Sequence, residues 1–126
     1  MKNPMIRAAL VLSLALSPVA AFAHGNTTPQ HGGIVQMTGE TLVELVAGPD
    51  AASIFVSEED EPVASADLTA TLTVMDAAGK RQVELVPVAG NRFDAPGLKL
   101  ASGAKVAVLL VNKASQGRSI LAFTVK

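Results

Sequence analysis

The strongest constraint in this sequence is two-residue alternation. In Leu68 to Val74 (LTATLTV), Leu68, Ala70, Leu72 and Val74 face one way and Thr69, Thr71 and Thr73 the other. A strand places successive side chains on opposite faces, so such a run is half-buried with its core face identified. Similar runs recur along the chain, separated by turn residues: Gly33 to Thr38, Thr41 to Ala47, Ala52 to Ser57, Arg81 to Val88, Arg92 to Ala95, Lys105 to Asn112 and Ser119 to Val125. Gly48-Pro49-Asp50, Asp76 to Lys80, Gly90-Asn91 and Pro96-Gly97 supply the turns. Lys105 to Asn112 (KVAVLLVN) is apolar on both faces, as a central strand is. In Ser119 to Val125, Leu121, Phe123 and Val125 alternate with Ile120, Ala122 and Thr124. No long amphipathic helix competes, and only Ala64 to Ala70 is ambiguous. Consecutive hairpins imply antiparallel pairing. The expected fold is all-β: a small antiparallel two-layer β-sandwich, Ig-like in plan, with a small closed β-barrel as the alternative.

The N-terminus reads as an export signal. Lys2 and Arg7 form a positive start, Ala8 to Leu16 a short apolar run, and Ala21-Phe22-Ala23 a small-x-small cleavage pattern. Residues 1–23 are therefore expected to be a signal peptide, and the mature chain to begin at His24 in a periplasm. The apolar run is too short for an ordinary membrane span, so no membrane insertion is expected after cleavage. The 103 residues that follow allow one domain. Residues 24–33 (HGNTTPQHGG) form a polar arm, flexible unless something ties it down, and residues 34–126 form the sandwich.

Composition excludes several functions. Without Lys2 and Arg7, eight basic and eleven acidic side chains remain, a formal charge of -3. With no basic stripe and no Trp or Tyr, nucleic acid is not an expected partner. The absence of Cys removes thiol catalysis, disulfides and thiolate metal sites. No nucleophile elbow or phosphate-binding glycine loop is present, and the only His residues, His24 and His31, stand in the arm. A mobile arm holds a catalytic base badly, so the chain is not expected to be an enzyme.

Those two His are the functional clue. As the first mature residue, His24 would offer its α-amine and its imidazole to one metal ion. His31 would add a third nitrogen. Nitrogen-rich tetragonal coordination suits Cu(II), with Zn(II) and Ni(II) as competitors. The amine must lose its proton to bind, so affinity should fall with pH. Met37 lies six residues after His31 and Met75 at another strand end. A thioether near His suits Cu(I), but both Met are expected to fill the core. Glu58-Glu59-Asp60-Glu61 lacks the spacing of a calcium loop and reads as a solvated turn. Glu44, within an apolar strand, is expected to face solvent or pair with Arg92 or Arg118.

Four features together carry a resemblance: His31-Gly32-Gly33, Glu44-Leu45-Val46, the segment Pro87 to Phe93 with its Gly90-Asn91 turn, and the terminal Phe123-Thr124-Val125-Lys126. From about Pro29 to Lys126 the chain resembles small bacterial periplasmic proteins associated with heavy-metal, copper-type resistance and efflux systems. The resemblance implies a β-sandwich module, related modules in efflux-pump adaptor subunits, and a metal-linked periplasmic role with copper or zinc-type cations. It carries over His31 alone as a motif residue; His24 rests on the cleavage site. Relatives often have an Asp-His-type loop after the third strand. Here that loop is Glu58 to Glu61, without His, which removes one potential ligand. The expected function is a periplasmic copper buffer or carrier for an efflux system, with metal on His24 and His31. The alternative is a metal-free interaction module contacting an efflux adaptor or another envelope protein.

Overall fold

A computed structural model describes residues 27–126 of the chain. The expected signal peptide and His24 lie outside the described residues.

Among the described residues ten strands follow one another: β1 Ile34–Thr38, β2 Thr41–Ala47, β3 Ala51–Glu58, β4 Glu61–Pro62, β5 Leu68–Asp76, β6 Gly79–Glu84, β7 Val86–Pro87, β8 Arg92–Pro96, β9 Lys105–Asn112 and β10 Arg118–Thr124. They form two antiparallel sheets. In the first the order is β1-β2-β3-β8-β7, with β4 also paired to β3; in the second it is β10-β9-β5-β6. The sheets remain open and pack against each other, so the molecule is a β-sandwich and the closed barrel does not form.

The alternation read from the sequence sets which side of each sheet is inward. Leu68, Ala70, Leu72 and Val74 of β5 are buried, as are Leu121, Phe123 and Val125 at the chain's end. They meet Val43, Leu45, Ile54, Val56 and Phe93 of the first sheet. Burying each such Val or Leu is worth about 1.5–3 kcal/mol, and the branched side chains suit a pleated surface. The apolar strand over 105–112 is central, between β10 and β5. The ambiguous stretch before β5 is a short 3-10 turn at Ser65–Asp67.

One expected element is corrected. Arg81 to Val88 is not a single return strand: it divides at Leu85, which is buried and donates its N–H to Ala70 O at 2.9 Å. Beyond it the chain changes sheets, and Val86–Pro87 pairs with β8. Pro87 has no N–H to give a ladder, and a short edge strand is where that omission is tolerated.

Candidate functional site

The site is built on the outer face of the first sheet. Val43 and Leu45 point into the core, so Glu44 between them points away from it. In register, Glu44 stands opposite Val35 on one side and Phe55 on the other, and Phe55 stands opposite Arg92. Glu44, Phe55 and Arg92 thus form a row across three strands. An outward carboxylate in such a row is ordinarily wet, yet Glu44 is only 3% exposed.

The arm covers it. Gly32 adopts a left-handed conformation, φ 73°, and turns the chain back over the sheet. Gly33 lies so close to β2 that a Cβ there would collide with the Leu45 carbonyl oxygen. This approach brings three backbone N–H groups onto one carboxylate. Gln30 N–H donates to Glu44 Oε1 at 2.9 Å, and His31 N–H and Gly33 N–H donate to Oε2 at 2.8 and 2.9 Å. The His31 ring adds a fourth bond, Nδ1 to Oε1 at 3.1 Å. Gln30 to Gly33 is therefore tied down, through one side chain.

The electrostatics follow from this packing. Burial alone pushes the Glu44 carboxyl up, but the N–H groups of Gly33, Gln30 and His31, together with the His31 ring, outweigh it and hold the carboxyl below its ordinary value. An ionised carboxylate can only accept, so Nδ1 of His31 carries the proton. In the neutral ring that leaves the lone pair on Nε2. The ring also lies flat on Phe55, with centroids 3.6 Å apart and planes 5° from parallel. Its orientation is fixed by stacking and its tautomer by Glu44, while the side chain stays 44% exposed. The Arg92 guanidinium is 5.9 Å from the Phe55 ring centre. Arg92 is held in turn by Asp94, 2.7 Å from its Nε, which also accepts the Ser53 hydroxyl at 2.8 Å. The bond from Arg92, helped by the Ser53 hydroxyl and the Arg92 charge, lowers the Asp94 carboxyl against the opposing effect of burial.

Beside this stack is a recess of about 250 Å³, walled by Thr28, His31, Glu44, Phe55, Ser57 and Asp60. Asp60 comes from the tip of the β3–β4 hairpin, where Glu59 and Asp60 have φ of 49° and 66°. The recess thus joins the arm, the strand row and the acidic turn.

Several expectations need adjustment. Glu44 neither faces solvent nor pairs with Arg92 or Arg118; its partners are the arm's amides and His31. Neither Met37 nor Met75 belongs to the core, and Met75 is 53% exposed. In both strands the inward positions are taken by other residues, so the Met side chains fall on the remaining face or edge. Among the described residues no group of three or more His, Asp or Glu could hold a metal ion. Of the two expected metal ligands only His31 lies among the described residues, with its side chain 44% exposed. Phe55 was not a sequence candidate. A lone aromatic at an outward strand position was the only signal available for it. The amides of Gln30 and Gly33 left no residue-type signal at all.

No protein-family model, no curated protein and no solved structure matches the chain.

Proposed function

We propose that this protein is a periplasmic metal-binding accessory protein, a copper buffer or carrier serving a heavy-metal efflux or resistance system, with the metal held by the N-terminal arm. The observation that carries this reading is the seating of His31. A buried carboxylate holds Nδ1 and an aromatic ring lies beneath the imidazole, which leaves Nε2 as the ring nitrogen offered to a metal. Metal-binding His residues commonly donate their other ring nitrogen to a carboxylate in this manner, which fixes the tautomer and raises ligand basicity. His31 Nε2 would be one ligand, and His24, with its imidazole and free amine, would supply two more. Those three nitrogens suit Cu(II) above Zn(II) or Ni(II).

The test is a Cu(II) titration of protein processed naturally in a periplasm, followed by EPR, with intact mass fixing the first residue. The expected result is one equivalent bound with a nitrogen-rich tetragonal spectrum that is lost in His24→Ala and weakened in His31→Ala. Binding that survives loss of both His would overturn the reading.

A second reading, a metal-free interaction module for an efflux adaptor, draws on the outer face of the second sheet, where Ile120 is 66% exposed and Met75 also lies in solvent. In that case the doubly substituted His24→Ala, His31→Ala protein would retain partner binding in full.

A further inference from the structure

We infer that the outer face of the second sheet is a peripheral docking surface for a bilayer of anionic phospholipid. This goes beyond the copper reading and does not rest on it. It names a different occupant for the face that the metal-free reading offers to an efflux adaptor.

The charges of this chain are sorted along its length and then by its fold. Residues 27–79 carry nine acidic and no basic side chains, and residues 80–126 carry eight basic and two acidic ones. Strand order turns that division into one of faces. The first sheet takes Glu44, Glu58 and Glu61, and its Arg92 is matched by Asp94 of the same strand. The second takes Lys80, Arg81, Lys105 and Arg118. Its Asp76 is engaged by Arg81, 3.0 Å away.

The register shows what the second sheet turns outward. Leu72, Val74, Val106, Val108, Leu121 and Phe123 are buried, so the residues between them face away from the core. One outward row runs Lys80, Met75, Lys105 and Thr124 across the four strands. Another runs Glu84, Thr71, Leu109 and Ile120, and Arg118 stands opposite Val111 beyond it. Ile120 and Met75 lie largely in solvent. The Thr124 hydroxyl holds the Lys105 ammonium beside the face at 2.9 Å. At this corner a depression of about 520 Å³ has Met75, Ala107 and Ala122 in its lining, with Lys105 and Lys126 beside them.

Apolar surface set among cations is the complement of an anionic phospholipid, whose acyl chains lie beneath a negative headgroup. Either contribution alone binds weakly, and the two together hold a peripheral protein. The acids do not cancel this attraction. Packed sheets lie about 10 Å apart, and charge is screened over about 8 Å at physiological ionic strength. A bilayer against the second sheet therefore meets the cations and is screened from the acids of the first. Among the described residues Glu84 is the one acid in the outward rows, so its removal should strengthen binding. Bound in this way, the first sheet would present His31 to the aqueous phase.

The experiment sediments naturally processed protein with vesicles of phosphatidylcholine alone, or containing about one-third phosphatidylglycerol, at low and high salt. The expected result is binding to the anionic vesicles only, lost at high salt. A cation near an anionic bilayer strengthens binding about fivefold, so Lys105→Gln and Arg118→Gln should each weaken it by about three- to fivefold. Glu84→Gln should strengthen it to a similar extent, and Ile120→Ser should weaken it several-fold. Asp50→Asn, the same charge change as Glu84→Gln but in a turn of the first sheet, should stay within about twofold of wild type. No sedimentation with anionic vesicles at low salt, or equal binding by all these variants, overturns the proposal. Self-association of the wild type without lipid that Ile120→Ser abolishes also overturns it and gives the face to a second copy of the chain. Should a variant melt early, the unsubstituted protein decides: spin-labelled lipid should broaden the Met75 methyl signal ahead of that of Met37, which belongs to the first sheet, and the reverse order refutes the assignment.

Discussion

Replacing Glu44 by Gln should detach the arm and leave the sandwich folded. In the native protein each carboxylate oxygen accepts two bonds: Gln30 N–H and His31 Nδ1 on one, His31 N–H and Gly33 N–H on the other. A Gln side chain keeps one accepting oxygen and turns an NH₂ toward the other pair of donors. Two bonds are lost and donors face donors. Bonds to a charged group contribute about 1.5–3 kcal/mol each. Against the four of them stands the cost of ordering the backbone of Gln30 to Gly33, about 1–2 kcal/mol per residue. Docking is thus favourable by only about 2–4 kcal/mol, and losing two bonds reverses its sign. Among the described residues no arm residue belongs to the core cluster, so the core persists. Hydrogen exchange read by NMR should show the amides of Gln30, His31 and Gly33 unprotected in Glu44→Gln, with those of β5 and β9 still protected. Denaturant unfolding should show about 2–4 kcal/mol of lost stability, the docking energy and no more. Full protection of the three amides in Glu44→Gln, with stability within about 0.5 kcal/mol of wild type, would refute the reasoning, because an uncharged side chain would then be holding the arm equally well.

Acid should do reversibly what the substitution does permanently. The Glu44 carboxyl is held below its ordinary value, so its contribution is present above the ordinary carboxyl range and lost as pH falls through the lowered folded value. Asp94 shifts in the same direction, so the Glu44 share is the difference between the acid titrations of wild type and Glu44→Gln. Gly33→Ala should weaken the protein by about 1–3 kcal/mol, since the new methyl meets the Leu45 carbonyl and Val46 rather than a movable side-chain end; an unchanged melting temperature would contradict the close approach. Phe93→Ala, which removes a fully buried ring from between the sheets, should cost about 3–5 kcal/mol in denaturant unfolding. Phe55→Leu should spare the fold and free the His31 ring, seen as faster averaging of its NMR signals; a ring equally fixed without Phe55 would mean that Glu44 alone orients it.

The sandwich was legible because its information is periodic. Leu68 to Val74 and Leu121 to Val125 each name their buried face by alternation, Lys105 to Asn112, apolar on both faces, names itself a central strand, and the packed sheets accept all three readings. The turns at Asp76 to Gly79 and Gly90-Asn91 were legible for a local reason, the short polar or Cβ-free residues that tight turns require. The sheet change at Leu85 was not, because Leu fits either an alternating strand or a crossover, and only the position of Ala70 O decides between them. His31 was nominated by its residue type and by the His31-Gly32-Gly33 motif; its tautomer and its stacking on Phe55 were not, since each depends on chain segments at least 13 residues away.

Glu44 marks the boundary most clearly. Its place in β2 dictates that it points away from the core, and alternation ends there. What covers an outer face is a matter of tertiary approach. Here the covering groups are main-chain N–H donors, which every residue except Pro possesses and which therefore leave no trace in residue identity. The sequence determined the faces of the sheets and supplied His31-Gly32-Gly33 and Glu44-Leu45-Val46 as two separate motifs. The tertiary structure made them one device, because only in the folded chain does Gly32 turn and Gly33 press near enough for three amides and an imidazole to share a single carboxylate.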